Sequence, residues 1–306
     1  MLTQKTIKGW LPGVNAVFRY HLPLLPVKYP DVHLATAKTF PQLRKQIIKD
    51  TDCRLKGVPD DSCMEYIHGR LGGAILIRMN QLPPKTDFDA FIHFYWHELG
   101  HFYSINADKN NLERFNDLDS PPEEEADYDN VLYKQRGYWF WSEFIAEAIS
   151  NYISYKFRSS DPDNPSSTSP NYRPDEINWK AEIWGCMVDR LMNFLDYAFV
   201  WCYGVDEYSL AMYFATLLTD DFCKLYVNAA REGKLKMYGK ATPEKPGTIE
   251  PTCISDRPKV FQPFLWKMKE LLEGQLKKKE FWITDEATLE KLGRFIYELV
   301  KAKKKL

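Results

Sequence analysis

The alternation of apolar and polar positions divides the chain into a part with short strands and a longer helical part. Asp31–Phe40 has strand character and Phe40–Asp50 has helical periodicity, so the first ninety residues predict short extended stretches with one helix. Gly72–Pro84 is the clearest strand, because an apolar, β-branched run stands between two glycines and two prolines. Thr86–Ile105 begins with a cap signal and continues without proline, which predicts a buried helix that is apolar on most faces.

Helical periodicity returns after a polar, acidic connection over residues 106–137. Residues 159–174 are rich in Ser, Pro, Asp and Asn, and they predict a loop. The helices predicted on either side of that loop are Tyr138–Phe157, Ile177–Ala198, a helix from Glu207 with Asp206 as its cap, Phe261–Lys277, and a last helix with Thr284 as its cap.

This order of elements predicts an α+β fold. A small N-terminal mixed sheet would lie over the helix that begins near Thr86, and the C-terminal part would be mainly α-helical. Residues 1–158 would form a core domain with both candidate active-site helices. Residues 175–306 would form a helical lobe packed on that core, with residues 159–174 as the loop between them.

Composition and charge narrow the function mainly by exclusion. The 306 residues carry a net charge of −1, which argues against broad electrostatic binding of nucleic acid. The longest apolar runs are too short to cross a membrane, and the N-terminus lacks the apolar core of a signal peptide, so we expect a cytoplasmic protein with no membrane partner. The six cysteines contain no C-x-x-C pair, which removes the usual thiolate zinc signatures. We interpret the acidic stretch Glu113–Asp129 as a solvated loop.

The candidate chemistry lies in the stretch from His97 to His101, which reads H-E-L-G-H. Helix residues four apart lie on one face, about 5–6 Å from each other. Both imidazoles can therefore bind one zinc ion at about 2.0–2.1 Å. Glu98 points one step further round the helix and can reach a water molecule on the open side of the metal. The motif thus predicts two zinc ligands, His97 and His101, and a general base, Glu98.

His93 stands four residues before His97 and raises the question of a third histidine ligand. The eight residues from His93 to His101 rise about 12 Å along a helix, which is too far for both side chains to bind one ion. We therefore expect His93 to serve in packing or hydrogen bonding.

A catalytic zinc site needs a third protein ligand and an open position for water. The predicted helix Tyr138–Phe157 supplies two candidates, Glu143 and Glu147, which stand four residues apart and share a face. Helix geometry permits either of them. Whichever is not a ligand still sits on an apolar helix and needs a polar partner.

H-E-L-G-H followed by a helix reading E-x-x-A-x-x-x-S, from Glu143 to Ser150, resembles the gluzincin metallopeptidases. Locally it is similar to the prokaryotic repressor-cleaving (ImmA/IrrE-like) peptidases. The register of Ala146 in that resemblance implies Glu143 as the third ligand. Glu147 matches the acidic residue that orients a metal-bound histidine in thermolysin-like members, and it remains the alternative ligand.

The resemblance implies a zincin-like fold and zinc-dependent hydrolysis of a peptide or protein substrate. Zinc would polarise the scissile carbonyl, and Glu98 would move the proton from the attacking water to the leaving amine. The strand Ala74–Asn80 is expected at an edge of the sheet, where an extended substrate could add by main-chain hydrogen bonds. Tyr152 and Tyr155 follow the ligand-bearing helix face and are candidate donors to the oxyanion.

Two other functions stay open at this point. One is a non-catalytic binding protein that keeps the zincin fold and its metal for structure, although structure alone has no need of Glu98. The other is a zinc hydrolase of a non-peptide amide, for which His97, Glu98 and His101 would serve equally well.

Overall fold

The structure is a computed structural model that describes residues 2–53, 62–82, 86, 88–117, 130–159, 207–219, 254 and 259–303. These residues have a mixed α+β architecture, mostly helical with a three-stranded sheet, which confirms the predicted fold class. The chain divides into two compact units, Met1–Asp108 and Lys109–Leu306. The predicted loop 159–174 lies outside the described residues except for Ser159, so the predicted domain division stays a prediction.

Each unit has its own set of secondary-structure elements. The first unit contains helix α1 (Gln4–His21), strand β1 (Asp31–Ala35), helix α2 (Phe40–Thr51), strands β2 (Met64–Gly69) and β3 (Gly72–Arg78), and helix α3 (Phe88–Ala107). The described elements of the second unit are a short 3-10 helix (Leu112–Asp117) and helices α4 (Asn130–Ser159), α5 (Glu207–Thr219), α6 (Gln262–Leu276) and α7 (Glu286–Lys303).

Most predicted elements occur close to their predicted positions. α4 begins eight residues earlier than the predicted start at Tyr138. The 3-10 helix lies in the acidic stretch that was predicted to be a loop, and residues 118–129 of that stretch are outside the described residues. The predicted helix Ile177–Ala198 and the predicted cap Asp206 also fall outside it. The cap of α7 is Asp285 rather than Thr284, because Asp285 Oδ1 accepts a hydrogen bond of 2.7 Å from the Thr288 amide.

Helix α1 and strand β2 are two elements whose positions the apolar pattern did not predict. The first ninety residues contain two complete helices where one was expected, and Pro12 lies inside the additional one. Proline removes an internal hydrogen bond and normally indicates a helix end. α1 forms nevertheless, because the Thr3 side chain caps it at the Thr6 amide and one apolar face is buried. The buried residues of that face are Ile7, Val14 and Phe18.

The three strands are arranged in the order β1-β3-β2, so β3 is the central strand. It pairs parallel with β1 and antiparallel with β2. The prediction that Ala74–Asn80 lies at an edge of the sheet is therefore wrong. The physical reason is burial: the run from Ala74 to Ile77 is covered on both faces, at most 4% exposed, as suits a central strand. The edge strand beside it is β2.

The sheet has a different neighbour on each face. On one face Ile67, Ala74 and Leu76 form a buried cluster with Ala35 and with Ile47 of α2. On the opposite face, the Tyr66 ring lies in a T-shaped contact with Phe102 of α3, at 6.0 Å between ring centroids. Because side chains alternate along a strand, β2 faces α2 with its odd-numbered residues and α3 with its even-numbered residues.

The second unit is organised by a close crossing of α4 and α7. A Cβ atom at Gly137 of α4 would overlap the Leu289 carbonyl of α7, and one at Gly293 of α7 would overlap the Tyr133 carbonyl of α4. The two glycines therefore let the helix backbones approach each other at two neighbouring points. None of the described helices is both long and apolar enough to cross a membrane.

Candidate metal centre

Helix α3 places the two predicted histidine ligands side by side. The Nε2 atoms of His97 and His101 lie 3.2 Å apart, and the two rings are nearly perpendicular, at 84° with centroids 4.8 Å apart. Both rings are half-buried. The four-residue spacing brings them to one face of a helix whose other faces are largely apolar, so the two nitrogens converge on one point.

This separation can be compared with the geometry of a single zinc ion. Two nitrogens at about 2.05 Å from a tetrahedral ion lie roughly 3.3 Å from each other. The observed 3.2 Å between the Nε2 atoms agrees with that value. Two imidazole nitrogens and one carboxylate are also the usual protein ligands of a catalytic zinc. The chemistry of these donors and the spacing of the two nitrogens are therefore compatible with a zinc ion.

Glu143 of α4 completes the donor set. Among the described residues, His97, His101 and Glu143 form a group that could hold a metal ion, and their ligand atoms all lie within 4.8 Å of one another. Neither Glu147 nor His93 belongs to this group. Glu147 is buried, with 6% of its surface exposed, and it interacts with other groups, as a carboxylate in an apolar helix must.

Glu98 turns towards the sheet. Its Oε2 atom accepts a hydrogen bond of 2.7 Å from the main-chain amide of Tyr66 in β2. Glu98 stands outside the group of candidate ligands, as the step of one residue round the helix predicts. Its carboxylate is therefore directed to β2 rather than to this group.

Burial, together with the negative charge of Glu98, raises the pKa values of two neighbouring groups, Glu65 in β2 and Cys63 just before it. Burial raises the pKa of the Cys63 thiol, and the negative charge of Glu98 raises it further. Burial also raises the pKa of Glu65, against the effect of Arg44, which donates two hydrogen bonds of 3.2 Å to that carboxylate.

Tyr66 is the residue of this site that the sequence did not indicate. Its contribution is a main-chain amide, which every residue but proline has, so no side-chain pattern could have identified it. The two tyrosines predicted as oxyanion donors stay predictions. Tyr152 is half-buried and packs its ring against Phe281 at 5.8 Å, and the side chain of Tyr155 lies outside the described residues.

No protein-family model, curated protein or solved structure matches this chain.

Proposed function

We propose that this chain is a zinc-dependent metallopeptidase of the gluzincin type. One observation carries the proposal: the donor atoms of His97, His101 and Glu143 lie within 4.8 Å of one another, next to a glutamate that is not part of the group. Three ligands from the described residues would leave a position for water, which distinguishes a catalytic zinc site from a closed structural site with four ligands.

The elements around Glu98 support a zincin-like fold. The H-E-x-x-H helix lies beside an edge strand, β2, of a small mixed sheet. The Arg78 amide donates to the Cys63 carbonyl at 2.9 Å, so in this antiparallel pair the main-chain groups of Cys63, Glu65 and Ile67 face β3. Those of Met64, Tyr66 and His68 point away from the sheet. The Tyr66 amide is used by Glu98, and an extended peptide could add along the remaining main-chain groups.

Each residue of the site has a distinct task in this function. The imidazoles of His97 and His101 and the carboxylate of Glu143 would hold zinc, which when bound polarises a carbonyl and acidifies water. Glu98 accepts the proton of the attacking water and delivers it to the leaving amine. Glu147 lies four residues after Glu143, and from its buried position it would orient a metal-bound histidine.

The test measures the bound zinc content and the rate of peptide hydrolysis separately. The purified chain should contain about one zinc ion, and His97→Ala should remove it, while His93→Ala, one turn earlier on the same helix, should retain it. Glu98→Gln should keep zinc and lose hydrolysis of internally quenched peptides. A wild-type protein without zinc after growth in zinc would refute the metal site. Zinc without hydrolysis of any peptide would refute the peptidase.

A further inference from the structure

The contact between Glu98 and Tyr66 has a consequence for how the base is held. It lies entirely within the first unit, between α3 and β2, and it is a charge-assisted hydrogen bond of 2.7 Å. Because the Tyr66 amide points away from β3, it is not used in the sheet ladder. A glutamate side chain has three rotatable bonds, so a single fixed donor strongly reduces the orientations of its carboxylate.

The position of Tyr66 is itself set by several contacts. In the ladder it pairs with Ile75 of the central strand. Its ring occupies the space over Gly73, where a Cβ atom would overlap it, and packs against Phe102. Its hydroxyl lies 3.1 Å from His68 Nδ1. The amide is thus presented by a rigid strand and not by a loop, which is what precise positioning of a functional group requires.

We propose that the main-chain amide of Tyr66 is a positioning group for Glu98, holding Oε2 so that Oε1 is left for the proton of the attacking water. This rests on the proposed function only in making Glu98 the base. Tyr66 itself does not touch the reacting atoms. Its effect is on the orientation of the carboxylate, and a displacement of about 1 Å can cost about a hundredfold in rate.

The hydrogen bond is tested first without reference to activity. Exchange of the single Tyr66 amide with deuterated solvent is measured in the full chain, with and without zinc. The amide should exchange slowly in the wild type and in Glu98→Gln, whose amide oxygen still accepts the bond, and quickly in Glu98→Ala. The His68 amide on the same strand edge serves as the internal control and should not change. Equal exchange in the Ala and Gln variants, or loss of protection when zinc binds, would overturn the proposal.

The kinetic test compares two substitutions of Tyr66. Tyr66→Ala removes the ring and keeps the amide, whereas Tyr66→Pro removes both, and edge strands tolerate proline where the amide points outward. On an internally quenched peptide that the wild type cleaves, Tyr66→Pro should have a kcat about 10- to 100-fold below that of Tyr66→Ala, with the same KM and zinc content. Equal kcat values would overturn the proposal. If Tyr66→Pro does not fold, the exchange experiment decides. If the wild type cleaves no peptide, the proposed function fails while the exchange result still judges the positioning.

Discussion

Helices α3 and α4 both consist mainly of apolar residues and both carry a few polar ones, but they use them differently. On α3 the side chains of His97, Glu98 and His101 are half-buried. The two histidines bring their Nε2 atoms within 3.2 Å of each other, and Glu98 accepts a hydrogen bond from the Tyr66 amide of β2. On α4 several polar side chains are buried in helix packing, among them Gln135, Glu147, Ser150 and Asn151, and Asn151 donates to Thr219 of α5 at 2.9 Å. Polar residues on an apolar helix therefore indicate chemistry only when they are partly exposed and grouped.

Glu143 and Glu147 show the same contrast between a half-buried and a buried polar side chain within one helix, α4. Glu143 is half-buried and belongs to the candidate ligand group, whereas Glu147 is buried and does not. Glu143→Ala should therefore cost most of the zinc affinity, more than about a thousandfold, because it removes a ligand. Glu147→Ala should cost only about 10- to 100-fold. Competition with a chelator measures both affinities, and the reverse order of losses would show that Glu147 is the ligand.

The close crossing of α4 and α7 at Gly137 and Gly293 should contribute strongly to the free energy of unfolding of the second unit. In Gly293→Ala the new methyl group would overlap the Tyr133 carbonyl, and since backbone cannot give way as a side chain can, α4 and α7 must separate. We expect a loss of about 3 kcal/mol in the free energy of unfolding. Gly274 of α6 provides the matched control, because a Cβ atom there meets nothing within 4 Å. Gly274→Ala should instead stabilise by about 0.5–1 kcal/mol. Urea unfolding of the two variants measures the difference in sign.

Arg44 and Glu65 should make the stability of the first unit depend on pH. The pKa of Glu65 is raised, mainly by burial, so this group contributes stability below its unfolded pKa and loses it as pH rises through the folded pKa. Arg44 reduces this loss of stability, because its hydrogen bonds and positive charge stabilise the ionised Glu65 carboxylate. Arg44→Met should therefore cost about 1–2 kcal/mol at pH 8, where Glu65 is charged, and much less near pH 4. Urea unfolding at the two pH values gives the comparison, and Glu65→Gln should abolish the pH dependence of the Arg44 effect.

The smallest effect is expected at the start of α7. Burial opposes ionisation of Asp285, but hydrogen bonds from Thr288 and the charges of Lys278 and Lys291 outweigh it and lower the pKa of Asp285. Its stabilising effect is thus present above the unfolded pKa and is lost as pH falls through the folded one. Asp285→Ala should cost about 1 kcal/mol at pH 7, as loss of an N-cap does. Thr284→Val is the control and should be near neutral in thermal unfolding, because the Thr284 hydroxyl has no hydrogen-bond partner among the described residues.

Local patterns in the sequence determined the type of most elements and the two histidines of the candidate centre. Helical spacing places His97 and His101 on one face wherever α3 packs, because four residues of helix have the same geometry in any fold. The apolar run of β3 likewise determined that a buried strand would form there. Such features depend on neighbours within one or two turns, or on the alternation along a single strand, and can be predicted without knowledge of the fold.

The tertiary structure alone decided which strand is at the edge and what holds Glu98. An apolar run is equally consistent with a central or an edge position, and only the pairing of β1 and β2 on its two sides places β3 in the centre. Helix α1 forms despite Pro12, because the burial of its apolar face offsets the missing hydrogen bond. The Tyr66 amide reaches Glu98 across 32 positions of sequence, and main-chain groups carry no residue-specific signal. Contacts of this kind depend on how elements pack, which a local pattern does not encode.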